Sequence, residues 1–423
     1  MLRYRALSLC VACLALVATS TTTPAMADWP QFLGPAGNNV SEETGLPTTW
    51  SSTENIVWKT AMPGFGTSSP IIVGDRIFLT AYSGYATDPD NPGKIEDLRH
   101  HVIALDRKTG KILWDQSTQA VMPEQKYGGF IALHGYASGT LASDGKMLFA
   151  FFGKSGVLAY TVDGKPVWRA NVGDKTHAWG SGTSPILVDD LVVVNASVES
   201  GSLVALNKNT GKEVWSLGGV ARSWSTPAVL TLPSGQKEIV VSLENEAWGV
   251  DSKSGKKLWS CAAVPDYVCP AVVTHGDVAY VTGGRKPVAI AVRGGGKGDV
   301  TSTHRLWEVK ETPKVPSPVY YEGRLYWVSD TGTACCLEAE TGKTVFEKRL
   351  SGLGKVYATI LIADGKMYVV SRENGAAVFA VGAELKELAA NDLGDKSVFN
   401  ASPVADNGQL LLRSDKFLYC IGK

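Results

Sequence analysis

"ALDRKTGKILW" occupies residues 104–114. The chain writes it again as "ALNKNTGKEVW" at 205–215, as "GVDSKSGKKLW" at 249–259 and more loosely as "YTVDGKPVW" at 160–168. An Asp at the head of such a segment can accept nearby backbone N–H groups, and the Gly supplies the positive φ that closes a hairpin. The Trp that follows has a large flat face to bury. The segment therefore reads as a turn between two strands followed by a packing anchor. Its recurrence means that one packing problem is solved several times along the chain.

Each copy has a partner upstream, a Ser-Pro or Thr-Pro followed by an apolar, turn, apolar pattern. Examples are "SSPIIVGDRIFLT" from 68, "TSPILVDDLVVVN" from 183, "STPAVL" from 225, "CPAVVTHGDVAYVT" from 269, "SPVYYEGRLYWVS" from 317 and "SPVADNGQLLLR" from 402. Two weaker copies are "SGTLASDGKMLFAFF" from 138 and "ATILIADGKMYVVS" from 358. With Pro70, Thr140, Pro185, Pro227, Pro270, Pro318, Ile360 and Pro403 as markers, the steps are 70, 45, 42, 43, 48, 42 and 43 residues. A period in the forties, with apolar residues alternating at period two, predicts blades of four short strands rather than a helical solenoid. The expected fold is an all-β, eight-bladed β-propeller of four-stranded antiparallel blades. Trp58, Trp114, Trp168, Trp215, Trp259 and Trp307 take the docking position in their blades.

The last unit reaches Lys423 after three strands, and the fourth is found at the other end as "NIVWKTAMP", 55–63. Pairing of the two terminal strands would close the ring and remove its open edges. The propeller is thus expected over 55–423, with 28–54 outside the ring as a strap. Residues 1–27 read as a signal peptide. Arg3 and Arg5 precede the apolar "ALSLCVACLALVA", and Ala25-Met26-Ala27 forms an A-x-A cleavage site. The mature protein is expected in the periplasm or outside the cell, as a monomer without a membrane span.

Lys plus Arg number 41 against 41 Asp plus Glu, so charge supplies no case for nucleic acid. Five cysteines lie beyond residue 27, an odd count that argues against a disulfide framework. Cys335 and Cys336 fall in a third-strand segment, where neighbours alternate faces, and read as ordinary strand cysteines.

The docking segments and the eight units resemble the pyrroloquinoline-quinone-type (PQQ-like) propeller repeats. That superfamily holds quinone-dependent alcohol dehydrogenases and the non-catalytic BamB-type outer-membrane assembly scaffolds. "DWPQFLGPAGNN", "HGYASGTL", "WGSGTSP", "NASVESGSLVALN" and "SVFNASP" are similar to secreted propellers of planctomycete bacteria. The resemblance covers nearly all of residues 28–423 and implies the fold; a cofactor of pyrroloquinoline quinone with calcium is implied only for the dehydrogenase branch.

In a propeller, the segment joining one blade to the next crosses one face and brings its last residues around the central channel. Those positions hold Phe65, His134, Tyr136, His177, Trp179, Arg222, Trp224, Tyr267, Tyr357, Phe399 and Asn400, and this ring is the candidate ligand site. The insertion at 81–101 projects from the same face. Its Asp88, Asp90, Asn91, Glu96 and Asp97 could offer oxygen ligands to calcium, but Pro92 and Arg99 break the EF-hand pattern. "TGKT" at 341–344 lacks the upstream Gly of a phosphate loop, and "RGGGKGD" at 293–299 reads as a flexible hairpin loop. H-E-x-x-H, G-x-S-x-G and C-x-x-C-H are all absent from the sequence. The reading is an exported binding or scaffolding module without catalysis, with a protein or peptide partner in the cell envelope, or a small-molecule or glycan ligand. The alternatives are a quinone- and calcium-dependent oxidoreductase and a glycan-binding propeller that stacks sugars on Trp179 and Trp224.

Overall fold

The structure, a computed structural model, describes residues 28–88 and 90–422. The signal-peptide segment 1–27 lies outside the described residues. Eight antiparallel sheets follow one another along the chain at 71–119, 142–170, 186–218, 228–262, 273–309, 319–349 and 361–391, with the eighth at 404–421. Blade 8 takes its outer strand from Ile56–Ala61, which pairs antiparallel with Phe417–Ile421. The chain is the eight-bladed, all-β propeller that the repeat predicts.

The repeated turn works as its residues suggest. Asp106 Oδ1 accepts the Thr109 N–H at 2.8 Å, and Asp251 Oδ1 accepts the Ser254 N–H at the same distance. Gly110, Gly211 and Gly255 take φ of 68°, 69° and 70°. The Trp of each outer strand lies on the turn glycine of the following blade: a Cβ on Gly110, Gly164, Gly211, Gly255 or Gly342 would stand within 3 Å of Trp58, Trp114, Trp168, Trp215 or Trp307 respectively. Trp168 Nε1 also donates to the Lys208 carbonyl at 2.8 Å, and Trp307 Nε1 to that of Ala339 at 2.9 Å. Apolar clusters fill the gaps between adjacent blades. Phe149, Phe151, Val157 and Ala159 of blade 2, for example, meet Val192, Val194, Val204 and Leu206 of blade 3.

Trp259 departs from this rule. It lies flat on Gly249 of its own blade and donates Nε1 to Glu238 Oε2 at 2.7 Å. The reason is the 294–304 segment of blade 5, which is no loose hairpin. Gly298–Asp299 pairs parallel with Trp259–Ser260 as a fifth strand of blade 4, Gly295 N–H bonds the Glu238 carboxylate, and Val300 is buried.

Blade register is set by a collar at the head of the innermost strands. The residues there are Ser69, Thr140, Ser184, Thr226, Ala271, Ser317, Thr359 and Ser402. The backbone N–H of one donates to the hydroxyl of the next at 2.9–3.1 Å, in seven links that include Ser402 to Ser69 across the closure. The missing link is at Ala271, which has no hydroxyl. Blade 5 is therefore in register through Ala271-Val272, two residues after the Cys269-Pro270 that sequence spacing selects. Blade 2 is in register through Thr140-Leu141.

Residues 28–45 run along the face opposite the inter-blade segments, and the Trp50 N–H then bonds Asn391 Oδ1 at the end of the outer strand of blade 7 at 2.8 Å. Trp29 exchanges two backbone bonds with Ile72 of blade 1 at 2.9 Å, and Leu33 packs on Ala271 and Val273 of blade 5. Blades 1 and 5 stand opposite each other in a ring of eight, so the chain between these residues crosses the channel. Val40–Ser41 then adds in parallel to Ile362–Ala363 of blade 7, and the buried Asn39 donates Nδ2 to the Ile360 carbonyl at 2.9 Å. The segment expected to lie outside the ring instead stops one end of its bore. All five cysteines beyond residue 27 are free. Cys335 and Cys336 point to opposite faces of Thr333–Glu338, into separate clusters.

Candidate functional site

The bore forms a cavity of about 470 Å³, lined by the seven Ser and Thr residues of the collar, by Phe32 of the strap and by the inter-blade segments. Six of the eleven candidate residues line it: His134, Trp179, Trp224, Tyr267, Tyr357 and Asn400. Tyr136, His177 and Arg222 do not. Tyr136 is drawn sideways, edge-on to Tyr82 at 5.3 Å and bonded to the Gln125 carbonyl at 2.7 Å. His177 sits outside the wall with its ring 5.0 Å from that of Trp224. Arg222 is held away by Asp266 at 3.1 Å and Glu244 at 3.4 Å. Phe65 and Phe399 pack into the body of the blades.

One half of the mouth is aromatic. Ring centroids run from Phe130 to Trp179 at 4.7 Å, Trp179 to Trp224 at 4.8 Å and Trp179 to Tyr267 at 4.7 Å. The segments entering blades 2 to 5 supply these rings. The wall is pinned by polar bonds: Trp224 Nε1 donates to the Gly180 carbonyl at 2.8 Å, and His134 Nε2 donates to the Trp179 carbonyl at 2.8 Å. His134 Nδ1 then accepts from Ser138 Oγ at 2.5 Å, which fixes one neutral tautomer. Burial holds the His134 imidazole below its usual protonation range, so it serves as a positioned strut.

The other half is polar and comes from blades 6 to 8. Lys314, Asp330, Tyr357 and Asn400 stand there, with the Arg372 guanidinium 4.4 Å over the Tyr357 ring. Asn400 Nδ2 donates to the Leu133 carbonyl at 2.7 Å, while its buried Oδ1 has no partner. Arg285 lines the rim beside Tyr267 and is bonded to Asp266 at 3.1 Å. Burial pushes the Cys269 thiol and the Tyr267 hydroxyl up to about 12, so neither is an anion at neutral pH.

Phe130, Arg285, Lys314, Asp330 and the collar are the site residues that sequence reasoning missed. Arg285 and Asp330 lie between the second and third strands of blades 5 and 6, a type of connection that projects toward the mouth. The 81–101 insertion has the same origin, but it leans on Tyr136 through Tyr85 and lines no part of the cavity. Within it Asp88 Oδ1 accepts the Asp90 N–H at 3.0 Å, and Asp97 belongs to a short 3₁₀ turn. Among the described residues, no three His, Cys, Asp or Glu side chains gather where they could hold a metal. The cavity has one carboxylate, Asp330. A flat ring fits the aromatic wall; of the carboxylates on which calcium sites draw most, the lining supplies Asp330 alone among the described residues.

A family profile described as outer membrane protein assembly factor BamB matches residues 39–123, 98–266, 153–301 and 296–387. Tetrathionate hydrolase of Acidithiobacillus ferrooxidans is 22% identical over 360 residues; the match covers 76% of this chain and 66% of that protein, so the chain spans just under two thirds of this relative's length. BamB from Moraxella catarrhalis superposes with a TM-score of 0.60 at 12% identity, covering 86% of this chain and 96% of that one. A europium-containing methanol dehydrogenase superposes with a TM-score of 0.62 at 12% identity, covering 91% and 89%. Both share the fold.

Proposed function

The chain belongs to the BamB-type family of PQQ-like propellers, and on that premise we propose that it is an exported binding module whose ligand enters the bore and stacks on the Trp179–Trp224 wall. The observation that carries this reading is the asymmetry of the bore. Its far end is crossed by the strap, and its open end has a rigid aromatic half facing a polar half. A blind cavity of this size buries most of a one- or two-ring ligand, as ligand sites generally do. A contiguous indole surface gains apolar contact with any flat ring or with the C–H face of a sugar. The module needs no catalytic group for this role.

Export rests on the 1–27 segment, read as a signal peptide from its sequence. N-terminal sequencing of the protein recovered from the medium or periplasm tests it, with Asp28 the expected first residue. Calorimetric titration with a panel of mono- and disaccharides tests the binding reading. Pyrroloquinoline quinone, with and without calcium, belongs in the same panel. A second reading, quinone binding on the same wall, is favoured if the quinone alone binds; calcium-dependent binding would bring the oxidoreductase back into account.

A further inference from the structure

The collar that sets blade register leaves a chemical residue. Each of its seven hydroxyls accepts a backbone N–H from the preceding blade, and all seven residues line the cavity. A hydroxyl carries one hydrogen and two lone pairs. None of the seven gives its hydrogen to a protein acceptor among the described residues. The seven residues therefore bring a ring of O–H groups with unused hydrogens to the wall of the bore, which Phe32 also lines.

Lys314 lines the bore with the ring, opposed in the lining by the one carboxylate Asp330, and two buried guanidiniums lie behind the wall. Arg413 is 1% exposed and bonds the Ser68 carbonyl, the Ser68 hydroxyl and the Thr80 carbonyl, all neutral, while its Nε has no partner. Ser68 immediately precedes the collar residue Ser69. Arg372, 6% exposed, stacks on Tyr357 and donates to the Leu133 carbonyl at 3.3 Å. Neither guanidinium, nor Lys314 in the cavity wall, is in an ion pair among the described residues. A buried guanidinium without a carboxylate is costly. An anion in the bore would offset it. The orphaned Asn400 Oδ1 adds a different demand, for a hydroxyl or amide donor on the ligand.

We propose that the collar is an oxyanion site, and that the ligand of the bore is a sugar bearing a sulfate, phosphate or carboxylate group. The acidic group seats in the hydroxyl ring, the sugar ring lies on the Trp179–Trp224 wall, and a sugar hydroxyl donates to Asn400 Oδ1. This rests on the reading of the bore as a ligand site and names the ligand's class. The same chemistry would be met by a free inorganic oxyanion, and the experiment separates the two sources.

The test is calorimetric titration of the mature chain, at low ionic strength, with glucose 6-sulfate, glucose and sodium sulfate. Glucose 6-sulfate is expected to bind at least about tenfold more tightly than glucose, with affinity falling as salt rises. Thr140→Val and Thr359→Val should each weaken it about tenfold. Removing a hydroxyl also strands a backbone N–H, so the gain-of-contact variant Ala271→Ser provides the complementary arm. It places an eighth hydroxyl in the one gap of the ring and should tighten binding without loss of thermal stability. Sulfate binding as tightly as glucose 6-sulfate would keep the collar as an oxyanion site and assign it to the free ion. Equal affinity for glucose and glucose 6-sulfate, or affinities unchanged in all three collar variants, overturns the proposal. If sugar binding is then lost in Trp179→Ala, the bore still holds a ligand and only the collar assignment falls. If none of the three probes binds, the collar assignment falls, and the bore as a ligand site is decided by the wider saccharide and quinone panel.

Discussion

The indole of Trp168 rests on the α-carbon of Gly211, so closely that a Cβ there would stand 2.6 Å from the ring. This contact joins blade 2 to blade 3, and four other blade junctions repeat it. The glycine is needed twice over, for its φ of 69° and for the approach of the ring. Gly211→Ala should cost more than about 2 kcal/mol in urea unfolding. Gly74→Ala provides the comparison: it has φ of 58° and nothing within 4 Å of the added carbon, so it should cost only the backbone part, about 1 kcal/mol.

Ring closure depends on residues 299 or more positions apart. Ile56–Ala61 completes blade 8, and Arg107 of blade 1 meets Asp406 of blade 8 at 2.6 Å with both side chains buried. Deleting 55–63 should abolish the cooperative monomer, because Phe417–Ile421 becomes an open sheet edge; size-exclusion chromatography and thermal melting read this out. Asp406→Ala leaves a guanidinium buried without its carboxylate and should cost about 3–5 kcal/mol in the same melts.

Glu199 is 1% exposed and accepts a bond from Ser181 Oγ, and burial pushes its carboxyl up to about 7. The folded protein therefore holds this proton where the unfolded chain has released it. Stability from this group is complete below the ordinary carboxylate range, declines as pH rises toward about 7, and is flat above that. Glu199→Gln should raise the melting temperature at pH 8 and change it little at pH 4.5. Equal shifts at both values would contradict the assignment.

The strap closes the bore by burying Leu33 against Ala271 and Val273 and Trp29 against blade 1. Leu33→Ala should cost about 2–4 kcal/mol if the contact is part of the folded core. A loss below about 0.5 kcal/mol in chemical unfolding would mean that the strap is detachable.

The fold was legible because its determinants are local. Turn glycines, period-two alternation and Ser-Pro heads recur at a nearly constant spacing, and each is a contact between residues close in sequence. Blade 5 was misregistered by two residues because Cys269-Pro270 imitates the Ser-Pro head, whereas the true position is set by the Ala271 N–H finding Ser317 on the next blade. The mouth was legible in part. Trp179 and Trp224 follow from topology, but Tyr136 and Arg222 are pulled off the bore by Tyr82 and by Asp266, partners that no spacing rule reveals. The plug at Phe32 and the fifth strand at Gly298–Asp299 are long-range dockings of irregular segments, and their sequences carry no periodic signal.

The proposed function requires that the aromatic wall hold a ligand. The most direct measurement is calorimetry of wild type and Trp179→Ala side by side against the sugar and quinone panel. The prediction is one-to-one binding of a ring-bearing ligand to wild type, weakened at least about tenfold in the variant while its melting curve stays within a few degrees. Wild type that binds no member of the panel, or binding that the variant leaves unchanged, would contradict the assignment of the bore as the site.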